Sequence, residues 1–271
     1  MASIARVTRG PVGAAAVVAE GGRIIALRGK QRFPMQSVYK LPIAMAVLHQ
    51  VDLGRLGLDQ RVKIGPGDLV PPSRGSPIRD KYPNGTEMTV SELLGAMMGV
   101  SDGTASDVLL KRAGGPETVT RYVRGLGIRD IMVATTEREM ARDERVQYRN
   151  WATPDAMAYL LCALQEGKGL SASSRRLLLG LMTTSKTGTD RIKGLLPKGT
   201  VVAHKTGSSG TVNGLTRATN DVGLVTLPDG RHLAIVVFVS DTRVDETTRD
   251  TVIAKIARGA WDDRAALEDR C

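Results

Sequence analysis

Strand-like segments lie at both ends of this chain, and helical patterns fill its middle. Two apolar runs separated by a Glu-Gly-Gly-Arg turn predict a β-hairpin over residues 13–28. Further strands are predicted at 200–205, 221–227 and 232–240, the last two joined by a Pro-Asp-Gly turn. Strands from opposite ends of a chain can share one sheet. We therefore expect an α+β fold, with an antiparallel sheet flanked by N- and C-terminal helices and an all-helical insertion.

The inserted region carries most of the predicted helices. A capping box, Thr89-x-x-Glu92, opens a helix over 90–99, because its two side chains satisfy free backbone N–H groups reciprocally. Other helical patterns cover 102–112, 117–125, 154–165, 173–183 and, after the last strand, 246–262. Two stretches without a sustained period are expected to be irregular, namely a Pro- and Gly-bearing surface segment at 64–85 and a long ordered loop at 135–151.

Two predicted linkers, near 29–33 and 187–194, suggest a division into domains. The sheet domain would be discontinuous and comprise 1–32 and 193–271, while 33–192 would form the helical domain. We expect the active site at the junction of the two.

Charge and cysteine content limit the partners of the protein. The formal net charge is +10, but the basic residues are scattered and aromatic residues make up only 3% of the chain. Nucleic-acid binding favours clustered positive charge and stacking rings, so we expect no nucleic-acid partner. No stretch of about 18 apolar residues occurs, so we expect no membrane span. We also expect a monomer without metal or organic cofactor, in which Cys162 and Cys271 are free thiols.

A hydroxyl and an amine stand one helical turn apart at Ser37 and Lys40. Residues i and i+3 share a helix face, so the Lys40 amine can reach the Ser37 hydroxyl and activate it as a nucleophile. An apolar run follows, and Pro42 fits a helix only within its first turn, which places the pair at a helix N-terminus. Any surface helix can carry Ser-x-x-Lys, but a polar pair leading into an apolar helix needs partners or a function.

Two further polar motifs lie at predicted junctions, Ser101-Asp102-Gly103 between helices and Lys205-Thr206-Gly207 at a strand end. Taken singly, they are equally well explained as a helix N-cap and a turn. In this order after Ser-x-x-Lys, however, they form the pattern of class A β-lactamases and penicillin-binding proteins.

The chain resembles the class A serine β-lactamases over nearly its whole length. Phe33-Pro34-Met35 before the nucleophile and Leu-Pro-Asp-Gly at 227–230 are similar to that family. Asp107, the segment 146–151 and the run 204–207, His-Lys-Thr-Gly, resemble the branch that contains the PER, VEB and CfxA types.

The resemblance implies that the protein hydrolyses the β-lactam ring through a serine acyl-enzyme that water then deacylates. Ser37 would be the nucleophile, and the backbone N–H groups of Ser37 and Ser208 would stabilise the oxyanion, each such donor contributing about 2.7–4 kcal/mol. Ser101, set between Lys40 and Lys205, would carry a proton to the ring nitrogen. Lys205 would also attract the substrate carboxylate. The remaining substrate-binding residues implied are Gly103, Arg191, Thr206, Gly207 and Ser208.

The deacylation step needs a base, and Glu137 aligns with the loop glutamate of the family. A glutamate in a charged loop can also be simply solvated, and Glu139 and Glu144 are alternatives, but Glu137 keeps the family spacing to Ser101 and Lys205. Asp107 resembles the residue that braces this loop in the PER-like branch.

Several positions depart from the family pattern. Gly103 replaces an asparagine that contacts the substrate, and Ala141 replaces one that holds the hydrolytic water. Thr135 and Asn150, the latter a structural residue near the site, cannot form the Arg–Asp bridge that often closes the loop. Asn220 stands where many members carry a carboxylate-binding arginine, and Arg191 matches the alternative arginine. These changes affect the expected substrate range and turnover rather than the covalent chemistry.

Two other functions fit parts of the sequence. A penicillin-binding DD-peptidase or β-lactam sensor would acylate without efficient turnover, and it would not need Glu137. A non-catalytic basic binding module would need clustered charge, which is absent. The family resemblance implies a periplasmic or secreted enzyme.

Overall fold

The computed structural model describes residues 1–267, so Cys271 lies outside the described part, while Cys162 is a free thiol as predicted. The helices are α1 (Ala2–Ala5), α2 (Lys40–Asp52), α3 (Pro77–Lys81), α4 (Val90–Gly99), α5 (Gly103–Arg112), α6 (Pro116–Gly125), α7 (Glu137–Met140), α8 (Pro154–Glu166), α9 (Ala172–Thr183) and α10 (Glu246–Asp262). The strands are β1 (Val12–Val18), β2 (Ile25–Leu27), β3 (Phe33–Pro34), β4 (Arg61–Ile64), β5 (Thr86–Thr89), β6 (Ile131–Met132), β7 (Trp151–Ala152), β8 (Val202–Ser208), β9 (Thr211–Val212), β10 (Leu215–Thr226) and β11 (His232–Thr242).

The main sheet joins the two ends of the chain. Its strand order is β2-β1-β11-β10-β8, with β9 paired to β10, and all of these pairs are antiparallel. The N-terminal hairpin and the C-terminal strands thus form one sheet, which confirms the predicted α+β class. The division into two domains stays a prediction.

Both faces of this sheet are covered, which explains why β1 is buried along its whole length. Successive side chains of a strand point to opposite faces. Ala14 and Val18 lie in the core cluster that contains Ile253 of α10, whereas Ala15 and Val17 lie in the cluster that contains the helical layer. Helix α8 covers that second face against β1 and β11.

Helix α2 is the centre of the helical layer. Residues 40–48 are all buried, and the helix packs against α4, α5, α6 and α9. A helix that is apolar around its circumference must be surrounded by protein. This packing fixes the position of the residues at the N-terminus of α2.

The predicted helices and the capping box are confirmed, since Thr89 accepts from the Glu92 N–H at 3.1 Å and Glu92 accepts from the Thr89 N–H at 2.7 Å. Strand β10 begins at Leu215, six residues before the predicted start at 221. The two-stranded sheet of β4 and β5 was not predicted. Within the described residues, no helix combines the length and the hydrophobicity needed to cross a bilayer.

Candidate active site

The predicted nucleophile, Ser37, lies in a tight turn that leads into α2. Ser37 belongs to a 3₁₀ turn, Gln36–Tyr39, and the α-helix begins at Lys40. Pro42 explains the boundary, because it has no N–H to donate to the Val38 carbonyl and its ring would clash with that carbonyl in a longer α-helix. Lys40 Nζ donates to Ser37 Oγ at 3.1 Å, so the predicted contact between amine and hydroxyl is present.

Lys40 links the three sequence motifs. Its buried Nζ donates to the Ser101 carbonyl at 2.7 Å and to Ser101 Oγ at 3.3 Å. From the other side, Lys205 Nζ donates to Ser101 Oγ at 3.0 Å. Ser101 has φ of +61°, a left-handed conformation that is strained for a residue with a side chain, and the two lysines hold it there. The Ser101 hydroxyl therefore lies between two amines, as its position in the sequence predicted.

Lys205 is fully buried in the middle of β8, next to Thr206, which lines the cleft. Burial, together with the neighbouring charge of Lys40, lowers the pKa of Lys205 to about 7. Near neutral pH this amine can both release and accept a proton, which suits a residue next to a proton-carrying hydroxyl.

Gly207 lets β8 pass directly against the nucleophile turn. A Cβ atom at this position would lie 3.1 Å from the Ser37 N atom and in severe overlap with the Met35 carbonyl oxygen. Only glycine permits this approach. The third residue of Lys-Thr-Gly therefore sets the distance between the strand and the nucleophile.

Glu137 begins α7 within the loop 135–151, and its side chain is only 2% exposed. Its Oε1 lies 2.9 Å from Lys40 Nζ, and its Oε2 accepts from Arg74 Nε at 2.6 Å and also from Arg74 Nη2. Burial by itself raises the pKa of Glu137, but the two cations outweigh it and hold the pKa at about 2. The carboxylate is therefore ionised at neutral pH, which is the form that a general base needs.

Two side chains hold this loop in place. Asp107 of α5 accepts from the backbone N–H groups of Glu137 at 2.7 Å and Arg138 at 3.0 Å. Burial raises the pKa of Asp107 to about 6 against the effect of these two hydrogen bonds. Asn150 is fully buried, accepts from the Ala134 and Thr135 N–H groups and donates to the Thr135 carbonyl, at 2.8, 3.0 and 3.0 Å. An amide clamp therefore closes the loop in place of an Arg–Asp bridge.

Arg191 supplies positive charge opposite Ser37. Its Nη2 donates to Ser208 Oγ at 2.9 Å, and its Nε pairs with Asp250 of α10 at 2.8 Å. Asn220 does not substitute for an arginine, because its amide donates to the carbonyls of Pro34 and Met35 and so ties β10 to the nucleophile turn.

These groups surround a cleft of about 390 Å³ whose lining includes Ser37, Lys40, Arg74, Ser101, Glu137, Arg191, Thr206 and Ser208. Of the predicted site residues, Gly103, Lys205 and Gly207 are not among the lining residues. Gly103 is buried beneath residues 70–75, where its N–H donates to the Gly75 carbonyl at 2.9 Å, and an added Cβ would lie 3.1 Å from that oxygen. Asp107 and Asn150 also act from behind the cleft.

Sequence reasoning missed Arg74. The segment 64–85 is irregular over most of its length, as predicted, but it is more than a surface feature because residues 73–75 line the cleft. In a stretch without periodicity, the sequence does not show which part of the fold an arginine side chain will contact. Gln36, which has φ of +46° and accepts from Arg74 Nη2 at 3.1 Å, was also missed as a site residue.

Comparisons with known proteins agree with this geometry. The model of the "Beta-lactamase enzyme family" matches residues 2–263. The VEB-1 β-lactamase of Pseudomonas aeruginosa is 42% identical over 84% of this chain and 77% of its own length, and the extended-spectrum β-lactamase PER-1 of the same organism is 42% identical over 85% and 75%. A β-lactamase structure from Chitinophaga pinensis superposes with a TM-score of 0.94 and 48% identity over 97% of both chains. The predicted resemblance to the VEB and PER types is thus confirmed, and the chain belongs to the class A serine β-lactamases.

Proposed function

We propose the following roles for the site residues in hydrolysis of the β-lactam ring, the reaction of this family. The observation that carries the proposal is the position of Lys40 Nζ, 3.1 Å from Ser37 Oγ and 2.9 Å from Glu137 Oε1. Through this contact Lys40 can take the Ser37 proton while it passes one of its own to Glu137, so that Ser37 Oγ attacks the lactam carbonyl.

Ring opening needs a proton on the lactam nitrogen. Ser101 Oγ supplies it and is reprotonated by Lys40, which passes on the proton taken from Ser37 and whose amine lies 3.3 Å away; Lys205 donates to the same hydroxyl from the other side at 3.0 Å. The C–N bond breaks, the ring nitrogen gains a proton, and Ser37 carries the acyl group as an ester. Arg191 and Lys205 provide positive charge for the substrate carboxylate, with the hydroxyls of Thr206 and Ser208 as hydrogen-bond donors.

Glu137 then acts as the general base of deacylation. Once it has returned its proton to Lys40, its carboxylate takes a proton from a water molecule that attacks the ester. The bond between the acyl carbon and Ser37 Oγ then breaks, and Ser37 regains its hydroxyl as Lys40 gives it a proton and receives one from Glu137. Glu139 is a weaker candidate because its Oε2 caps α7 by accepting from Thr135 Oγ1 and the Thr136 N–H. Glu144 pairs with Arg217.

The test is Glu137→Gln. We expect Ser37 still to be acylated, so that intact-protein mass spectrometry shows the mass of a whole penicillin long after mixing. Ser37→Ala should show no adduct at all. Turnover by Glu137→Gln at the wild-type rate, without an adduct, would exclude Glu137 as the base.

The same experiment separates the hydrolase from a penicillin-binding peptidase or sensor, because a stalling protein would hold its adduct in the wild type as well. We further propose that the enzyme acts as a monomer in the periplasm or outside the cell, as the family membership suggests. Sedimentation and cell fractionation test these two points.

A further inference from the structure

Arg74 reaches the catalytic carboxylate from a segment that has no regular structure. Its guanidinium gives two N–H groups to Glu137 Oε2, and its Nη2 also donates to Gln36 Oε1 at 3.1 Å. Gln36 directly precedes the nucleophile, and its Nε2 donates to Gln147 Oε1 at 2.7 Å on the far side of the loop 135–151. Arg74 therefore connects the base, the nucleophile turn and the loop.

The two carboxylate oxygens of Glu137 differ in their remaining capacity to accept hydrogen bonds. Oε2 accepts two N–H groups from Arg74, which use both of its lone pairs. Oε1 pairs with Lys40 at 2.9 Å and accepts from no other donor within the part of the chain that the structure describes. Oε1 is thus the oxygen that can still accept a proton.

The segment does not need this contact to keep its shape. Arg79 Nη1 donates to the carbonyls of Pro71 and Arg74 at 2.7 Å each, and Ser76 Oγ donates to Asp102 Oδ1 at 3.0 Å. Arg138 anchors the beginning of the segment through the carbonyls of Gly67 and Leu69. These bonds hold the backbone of 67–76, so the contact of the Arg74 side chain with Glu137 is not needed to maintain the segment.

We propose that Arg74 is a positioning residue for deacylation, one that fixes Glu137 Oε2 and thereby directs Oε1 toward the water that attacks the acyl-enzyme. The proposal rests on the assignment of Glu137 as the base. A fixed Oε1 matters more in this chain because Ala141 has no polar side chain to hold the attacking water.

The test compares Arg74→Met with Arg74→Lys in pre-steady-state kinetics with a penicillin. Loss of orientation at a reacting centre costs about tenfold to a hundredfold in rate, so Arg74→Met should slow deacylation by that factor and leave acylation within about threefold. Acyl-enzyme should then accumulate in the steady state. Arg74→Lys keeps the charge and one donor and should recover part of the deacylation rate.

Arg79→Met is the matched control, because Arg79 is similarly exposed, 18% against 15% for Arg74, and braces the same segment without touching Glu137. We expect it to lower the melting temperature without accumulation of acyl-enzyme. Unchanged or faster deacylation in a folded Arg74→Met variant would overturn the proposal, as would equal slowing by Arg79→Met. If instead Glu137→Gln fails to trap an adduct, the role of Glu137 itself is wrong.

Discussion

Asn150→Leu should destabilise the protein by breaking the clamp that closes the loop around Glu137. Leucine has nearly the shape of asparagine but makes none of its three hydrogen bonds to the backbone, and the Thr135 N–H and C=O lie in a fully buried residue. A buried backbone group left without a partner costs about 1–3 kcal/mol, and two such groups give a loss of about 2–6 kcal/mol. The Ala134 N–H is only half-buried and can be hydrated, so we do not count it.

Urea unfolding followed by circular dichroism measures this loss through the midpoint and slope of the transition. Asn84→Leu, the same change at an exposed turn position, is the control and should cost less than about 0.5 kcal/mol. A loss below about 1 kcal/mol for Asn150→Leu would refute the reasoning, because the clamp would then contribute little beyond packing. The folded variant should also deacylate more slowly, since Glu137 begins the helix that follows Thr135.

Three further predictions concern the substrate side of the cleft. Arg191→Ala should raise KM about tenfold for substrates with a ring carboxylate, since charged hydrogen bonds contribute about 1.5–3 kcal/mol, and unchanged kinetics would show that Lys205, Thr206 and Ser208 suffice. The pKa of Lys205 near 7 predicts that KM for such substrates rises as the pH rises through 7 and the amine loses its charge, whereas Lys205→Arg should keep KM flat; a flat wild-type profile would contradict this. Gly103→Asn should destabilise the protein by ~1–3 kcal/mol, measured by urea unfolding, because the side chain would press on the Gly75 carbonyl and Val70; a neutral effect would show that the segment yields.

The sequence allowed the fold class and the central residues of the site to be predicted because their signals are local. Ser37 and Lys40 share one helical turn, and the helices around them follow from periodicity and from caps such as Thr89 and Glu92. The order of three motifs then identified the residues that meet at Ser101. Each motif can be recognised in a single sequence because it consists of neighbouring residues, and the resemblance to the family links the three.

Contacts that depend on irregular backbone could not be predicted in this way. Arg74 reaches Glu137 from the segment 67–76, whose backbone Arg79, Ser76 and Arg138 hold jointly, and those bonds have no sequence period. Gly103 was expected to line the cleft for the same reason, since nothing in its motif showed that the Gly75 carbonyl would cover it.

The pairing of the first long strand with the last has a consequence for biosynthesis. Val12 pairs with Val239, so the central sheet lacks its middle strand until almost the entire chain has left the ribosome. Chains are made at about 5–20 residues per second, so the early hairpin waits many seconds for β11. Such long-range pairing is intrinsically slow to form. During that interval the polypeptide lacks its native sheet and can be bound by chaperones, and we expect no β-lactam hydrolysis until β11 has been added.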